Sequence, residues 1–133
     1  MTDPIRTGAV HHLRLTVTDV TRAREFYTSV LGFQEIAPLP SGVLLGNGTV
    51  LLGLGPAPEQ PITNDRFDEN RVGLDHLSFT VNSRDELDAA ERLLNQRGIP
   101  NGGVKDLGQA FGLYILAFRD PDNIQLELTA LYG

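Results

Sequence analysis

Two histidines and one glutamate carry most of the chemistry that this chain offers. His12 opens the hexapeptide His12-Leu-Arg-Leu-Thr-Val17, which returns sixty-four positions later as His76-Leu-Ser-Phe-Thr-Val81, with four of six residues identical. Glu127 sits late in the chain, in the run Ile124-Gln-Leu-Glu-Leu. A repeat that folds as two like units brings His12, His76 and Glu127 towards one cleft. Two neutral imidazoles and one carboxylate form a facial set that holds Fe(II), Mn(II) or a similar ion and leaves positions open for substrate. Arg14 follows two residues after His12, on the same strand face, where its planar fork suits an anionic substrate group or, equally, a structural salt bridge. Glu127 and Arg14 are the residues assigned to catalysis, and Arg14, Tyr114 and Gln125 those assigned to substrate binding. The stretch Gly108 to Gly112 is read as a flexible segment that closes over a ligand.

The rest of the composition narrows the alternatives. The chain has 133 residues, no Cys and three His. Thiolate nucleophiles, Cys-ligated zinc and iron–sulfur clusters are therefore excluded, and His, Asp and Glu remain as the strong metal ligands. Eleven Lys plus Arg stand against 17 Asp plus Glu, a net charge of −6, with Lys105 the single lysine. No basic stripe suits nucleic acid or an anionic membrane surface. No apolar run approaches the roughly 20 residues of a membrane span, and the first residues lack the pattern of a secretory leader. The expectation is a soluble cytoplasmic protein. Neither a Gly-x-Ser-x-Gly elbow nor a P-loop is present.

The elements that must position these side chains follow from periodicity. Ala23, Phe26, Tyr27, Val30 and Leu31 make a helical apolar stripe that stops at Gly32, and Leu87, Ala90, Leu93 and Leu94 make a second one that ends at Gly98 and Pro100. Ser83 with Glu86 reads as a capping box for the second helix. Strands are predicted at 34–39, 43–45 and 49–54, with Asn47-Gly48 as a two-residue type I′ hairpin. In the second half they are predicted at 104–107, 113–119 and 124–131, with a turn at Asp120-Pro-Asp-Asn123. Each half is βαβββ. Module 8–55 and module 72–133 are joined by a linker at about 56–71 that carries three prolines, all within a single domain of residues 1–133.

Strand alternation sorts the faces. Leu13, Leu15 and Val17, then Leu77, Phe79 and Val81, then Ile124, Leu126 and Leu128 go under the helices; His12, Arg14, His76, Gln125 and Glu127 go to the opposite face. That polar face is also what the solvated side of a half-buried sheet looks like. His11 alternates away from His12 and is expected as a cap or surface residue.

The motifs His12-x6-Asp19, Phe26-Tyr27-x3-Leu31-Gly32-Phe33, Gly73-x2-His76 and Asp120-Pro-Asp-Asn123-x3-Glu127 together resemble the vicinal oxygen chelate superfamily over nearly the whole chain. That superfamily includes glyoxalase I, bleomycin-resistance proteins, fosfomycin-modifying thiol transferases, methylmalonyl-CoA epimerase and extradiol dioxygenases. The resemblance implies an α+β fold of two βαβββ modules pairing into a curled mixed-sheet cup. It also implies a divalent ion (Fe, Mn, Ni or Zn) on His12, His76 and Glu127, a small-molecule substrate, and a homodimer. A fourth ligand position of the family falls on Gly53 here, or on Leu52, and neither supplies a ligating side chain. This departure weakens the glyoxalase I and epimerase readings and leaves a three-ligand site, with lyase, dioxygenase and transferase chemistry open. The alternative is a non-catalytic, bleomycin-resistance-like binder of a small molecule or antibiotic. A pure binder has no need of all three ligands, and nine aromatics leave few for stacking on a drug.

Overall fold

A computed structural model describes residues 2–133. The first helix starts where Asp19 accepts a hydrogen bond from the Arg22 amide at 3.0 Å, and the second where Ser83 accepts from the Glu86 amide at 3.3 Å. Glu86 returns the favour by accepting from the Asn82 amide at 2.8 Å, so exposed donors at the helix start are satisfied. Both helices are left through a glycine in the left-handed region, Gly32 at φ 72° and Gly98 at φ 67°, where a Cβ would be strained.

The chain divides into two compact units, up to Pro61 and from Ile62 onward. In the first unit, β1 (His12–Thr16), α1 (Val20–Ser29), β2 (Gln34–Leu39), β3 (Gly42–Gly46) and β4 (Leu51–Gly55) form a four-stranded sheet in the order β1-β4-β3-β2. In the second, β5 (Leu77–Thr80), α2 (Arg84–Gln96), β6 (Asn101–Asp106), β7 (Leu113–Arg119) and β8 (Gln125–Leu131) repeat the order as β5-β8-β7-β6. The first strand of each unit pairs in parallel with the last and the remaining pairs are antiparallel, so each sheet is mixed and the fold is α+β. Among the described residues no helix is long and apolar enough to cross a membrane.

The cores form where the alternation puts them. Leu15, Val17, Ala23, Phe26, Tyr27, Leu52 and Leu54 are buried in the first unit, and Leu87, Leu94, Leu116, Phe118, Leu126, Leu128 and Ala130 in the second. The helix packs on β3 and β4 in one unit and on β6, β7 and β8 in the other.

Three local expectations are corrected. The Asn47-Gly48 turn is not type I′: Gly48 has φ 94° but Asn47 is not among the residues with positive φ. Strand pairing stops at Gly46↔Leu51, and the Asn47 carboxamide oxygen accepts from the Thr49 and Val50 amides, so the side chain closes a wider loop. The strand predicted from Val104 begins at Asn101, ahead of a register shift before Val104. Finally, His76 precedes β5 rather than opening it, because ladder pairing begins at Leu77↔Leu126.

Candidate metal centre

In the second unit β8 is an inner strand, and Glu127 is paired with Ser78 of β5 on one side and Ala117 of β7 on the other. Its carboxylate is 15% exposed and accepts from the Thr129 hydroxyl at 3.3 Å, while Thr129 meets Ser78 across the ladder at 2.6 Å. His76 Nε2 lies 3.8 Å from Glu127 Oε2, too long for a hydrogen bond. Its Nδ1 is bonded to Asp75 Oδ1 at 2.8 Å. An ion about 2.0–2.2 Å from each donor sets neighbouring ligands about 3.0–3.5 Å apart, so the 3.8 Å gap has to close by a few tenths of an ångström for the two to share one ion. His76 and Glu127 are donors of the type that a divalent cation takes.

The first unit carries the equivalent histidine at the start of β1. His12 is exposed, with its Nδ1 2.9 Å from Nδ1 of His11 and the two rings edge-to-face at 5.1 Å. His11 is a surface residue whose ring nevertheless engages the candidate ligand. Among the described residues no group of three or more His, Asp or Glu side chains is placed to hold a metal ion.

Arg14 pairs across β1–β4 with Gly53 and runs along the strand past Gly55. Arg14 Cγ lies 3.7 Å from where a Gly53 Cβ would stand, and a Cβ on Gly55 would collide with the guanidinium. Gly55 clears the track on which the arginine lies, whereas a Cβ at Gly53 would make only ordinary contact with it. The Arg14 guanidinium therefore lies beside Gly55, two residues beyond Gly53 on β4.

Gln125 and Tyr114 are placed differently from their expected roles. The Gln125 amide nitrogen donates to both the main-chain oxygen and Oδ1 of Asp75, each at 3.0 Å, and its carbonyl accepts from Arg119 at 3.4 Å. Both ends of the side chain are engaged by protein. Tyr114 pairs with Ala130 and lies on the helix side of the sheet, against Tyr132 (4.8 Å between centroids) and under the Arg84 guanidinium at 5.0 Å. It does not share the face of Glu127. The Gly108–Gly112 segment is a closed turn in which the Gly112 amide donates to the Gly108 carbonyl at 2.9 Å and the Gly112 carbonyl accepts from Tyr132 at 2.8 Å. The Asp120 carboxylate closes the β7–β8 turn, accepting from the Asp122 and Ile124 amides at 2.8 and 2.9 Å.

No sequence spacing pairs Arg119 with Glu69. Glu69 belongs to the aperiodic stretch between the modules, and its carboxylate takes both guanidinium nitrogens of Arg119, at 2.8 and 2.7 Å. The same loop is pinned by the Phe67 amide on the Asp122 carbonyl and by Asn123 on the Phe67 carbonyl, both at 3.0 Å. A cleft of about 520 Å³ lies between residues 62–71 and Arg119 and Asn123.

The hydrogen bonds from Arg119 hold the Glu69 carboxyl at about 2, below its ordinary 4.5. A depressed carboxyl contributes stability above its unfolded value, and that contribution disappears as pH falls through the folded one. The stability difference between the parent and Glu69→Gln is accordingly expected to shrink between about pH 4.5 and pH 2. Urea unfolding across that window measures it, and a difference that stays constant would refute the latch.

Comparison with known proteins places these features in a wider set. The family model described as Glyoxalase/Bleomycin resistance protein/Dioxygenase superfamily matches residues 9–128. The protein named "Uncharacterized protein YwkD" of Bacillus subtilis is 31% identical over 127 residues, covering 90% of this chain and 94% of that protein. A glyoxylase/bleomycin resistance protein/dioxygenase domain from Frankia is 32% identical with a TM-score of 0.82, covering 97% of this chain and 95% of that one. A lactoylglutathione lyase from Agrobacterium tumefaciens shares the fold at 23% identity and a TM-score of 0.73, covering 93% and 94%.

Proposed function

The chain belongs to the glyoxalase/bleomycin resistance protein/dioxygenase superfamily, and from that premise we propose that it is a divalent-metal-dependent enzyme acting on a small molecule that chelates through two oxygens. His76 and Glu127 of the second unit are the residues that hold the ion, and His12 has the corresponding place in the repeat of the first unit. The observation that carries this reading is the 3.8 Å approach of His76 Nε2 to Glu127 Oε2, with Nδ1 engaged elsewhere. When bound, Fe, Mn, Ni or Zn supplies Lewis-acid polarisation of substrate oxygens.

The chain's own residues do the remainder. Glu127, oriented by Thr129, presents a carboxylate from an inner strand of the sheet. Arg14 offers a positive charge beside Gly55, where it pairs with an anionic substrate group or with oxyanion charge that develops in the reaction.

Metal analysis and calorimetric titration of the purified protein with Mn(II), Ni(II) and Zn(II) test the proposal. One ion per chain is expected, as is loss of small-molecule turnover on chelation. Undiminished small-molecule affinity after chelation, with no turnover of vicinal-oxygen substrates, would replace the enzyme by a non-catalytic binder.

A further inference from the structure

We propose that Asp75 is the positioning residue of His76, fixing which ring nitrogen is free to ligate, and that Gln125 holds Asp75 in place. The inference rests on the metal-site reading above and adds a device to it. A histidine ligates through an unprotonated nitrogen, and which nitrogen that is depends on the hydrogen bond made by the other. As a carboxylate, Asp75 can only accept. Its Oδ1 at 2.8 Å therefore requires the proton on His76 Nδ1, which in the neutral ring leaves Nε2, the atom facing Glu127, with its lone pair.

Asp75 is an exposed side chain, 67% accessible, that would not hold this pose unaided. Gln125 Nε2 grips it at two points, Oδ1 and the main-chain oxygen, both at 3.0 Å. Gln125 is in turn oriented by Arg119 Nη2, which is itself locked by Glu69 at 2.7 Å. The chain Glu69–Arg119–Gln125–Asp75–His76 thus ties the inter-module stretch to the ligand, and explains why a glutamine on the polar face of β8 has neither end free for substrate.

The repeat supplies an internal contrast. Sixty-four positions before Asp75 and His76 stand His11 and His12, and there too the preceding residue takes Nδ1 of the candidate ligand. An imidazole can donate or accept, so His11 permits either form of His12, whereas Asp75 permits one form of His76. The second unit carries the preset ligand.

The test uses metal-free, 15N-histidine-labelled protein at pH 8, with long-range 1H–15N correlations to assign each ring, alongside Ni(II) titration. His76 of the parent is expected as the Nδ1–H form. Asp75→Leu should move it towards the Nε2–H form and weaken Ni(II) binding by about 10–100-fold. Asp75→Asn, whose carboxamide oxygen still accepts, should restore the Nδ1–H form and most of the affinity. Gln125→Leu should give a mixture of the two forms. An unchanged tautomer and unchanged affinity in Asp75→Leu would overturn the proposal. If the parent binds no Ni(II), the metal reading falls while the tautomer measurement still decides the role of Asp75.

Discussion

Replacing His76 by alanine is expected to weaken Mn(II), Ni(II) and Zn(II) binding by more than about 100-fold, beyond the 10–100-fold that loss of a residue behind a ligand produces. The side chain is 41% exposed and lies outside the strand ladder, so its removal should leave folding stability within about 0.5 kcal/mol of the parent. The two effects separate cleanly. Glu127→Gln should lose binding in the same way, because a carboxamide keeps the shape and the hydrogen bond to Thr129 but not the charge. Isothermal titration together with urea unfolding measures both quantities. Metal affinity retained in His76→Ala would remove His76 from the ligand set.

Leu126→Ala is the substitution expected to cost the most stability, about 2–5 kcal/mol. Leu126 is fully buried and pairs with Leu77 on one side and Phe118 on the other, so truncation opens a void at the centre of the second sheet. The neighbours on its strand are Gln125 and Glu127, which face the other way. The same side chain that fills the core therefore sets the height and angle of the Glu127 carboxylate. A lowered urea midpoint at unchanged slope is the expected signature, accompanied by weaker metal binding than the parent shows. Loss of binding with no change in midpoint would contradict the packing argument.

Much of this arrangement can be read from the sequence because apolar and polar residues alternate cleanly on β1 and β8. Leu13, Leu15 and Val17 against His12 and Arg14, and Leu126 and Leu128 against Gln125 and Glu127, leave one register possible for each strand. On β7 the signal vanishes. Leu113, Ile115 and Ala117 are as apolar as Leu116 and Phe118, so nothing in the pattern places Tyr114 on the helix side, and it is expected in a pocket where the structure does not put it. The early start of β6 is hidden for a different reason. Gly102 and Gly103 argue against a strand, yet Asn101 pairs with Phe118 and its side chain bonds Asn95 and the Ile99 carbonyl.

The polar chain behind His76 is illegible for a third reason: its members are distant in sequence. Glu69 and Arg119 are 50 positions apart, as are Asp75 and Gln125. No local spacing pairs them, and the stretch that contains Glu69 shows no periodicity to suggest that it is ordered. Even so, the proximity of Asp75 to His76, and of His11 to His12, is visible as adjacent letters; what the sequence withholds is that each neighbour turns its polar end onto the ring.

The strand order β5-β8-β7-β6 has a consequence for how the molecule comes into being. β5, which follows directly on His76, has β8 as its ladder partner, and the paired residues Ser78 and Glu127 are 49 positions apart. Closing such a loop has an entropic cost that rises with its length and is offset only once the distant partner arrives. During synthesis α2, β6 and β7 can assemble while β5 waits without a neighbour. The candidate ligands His76 and Glu127 can therefore meet only once β8, the last strand of the chain, has joined the sheet.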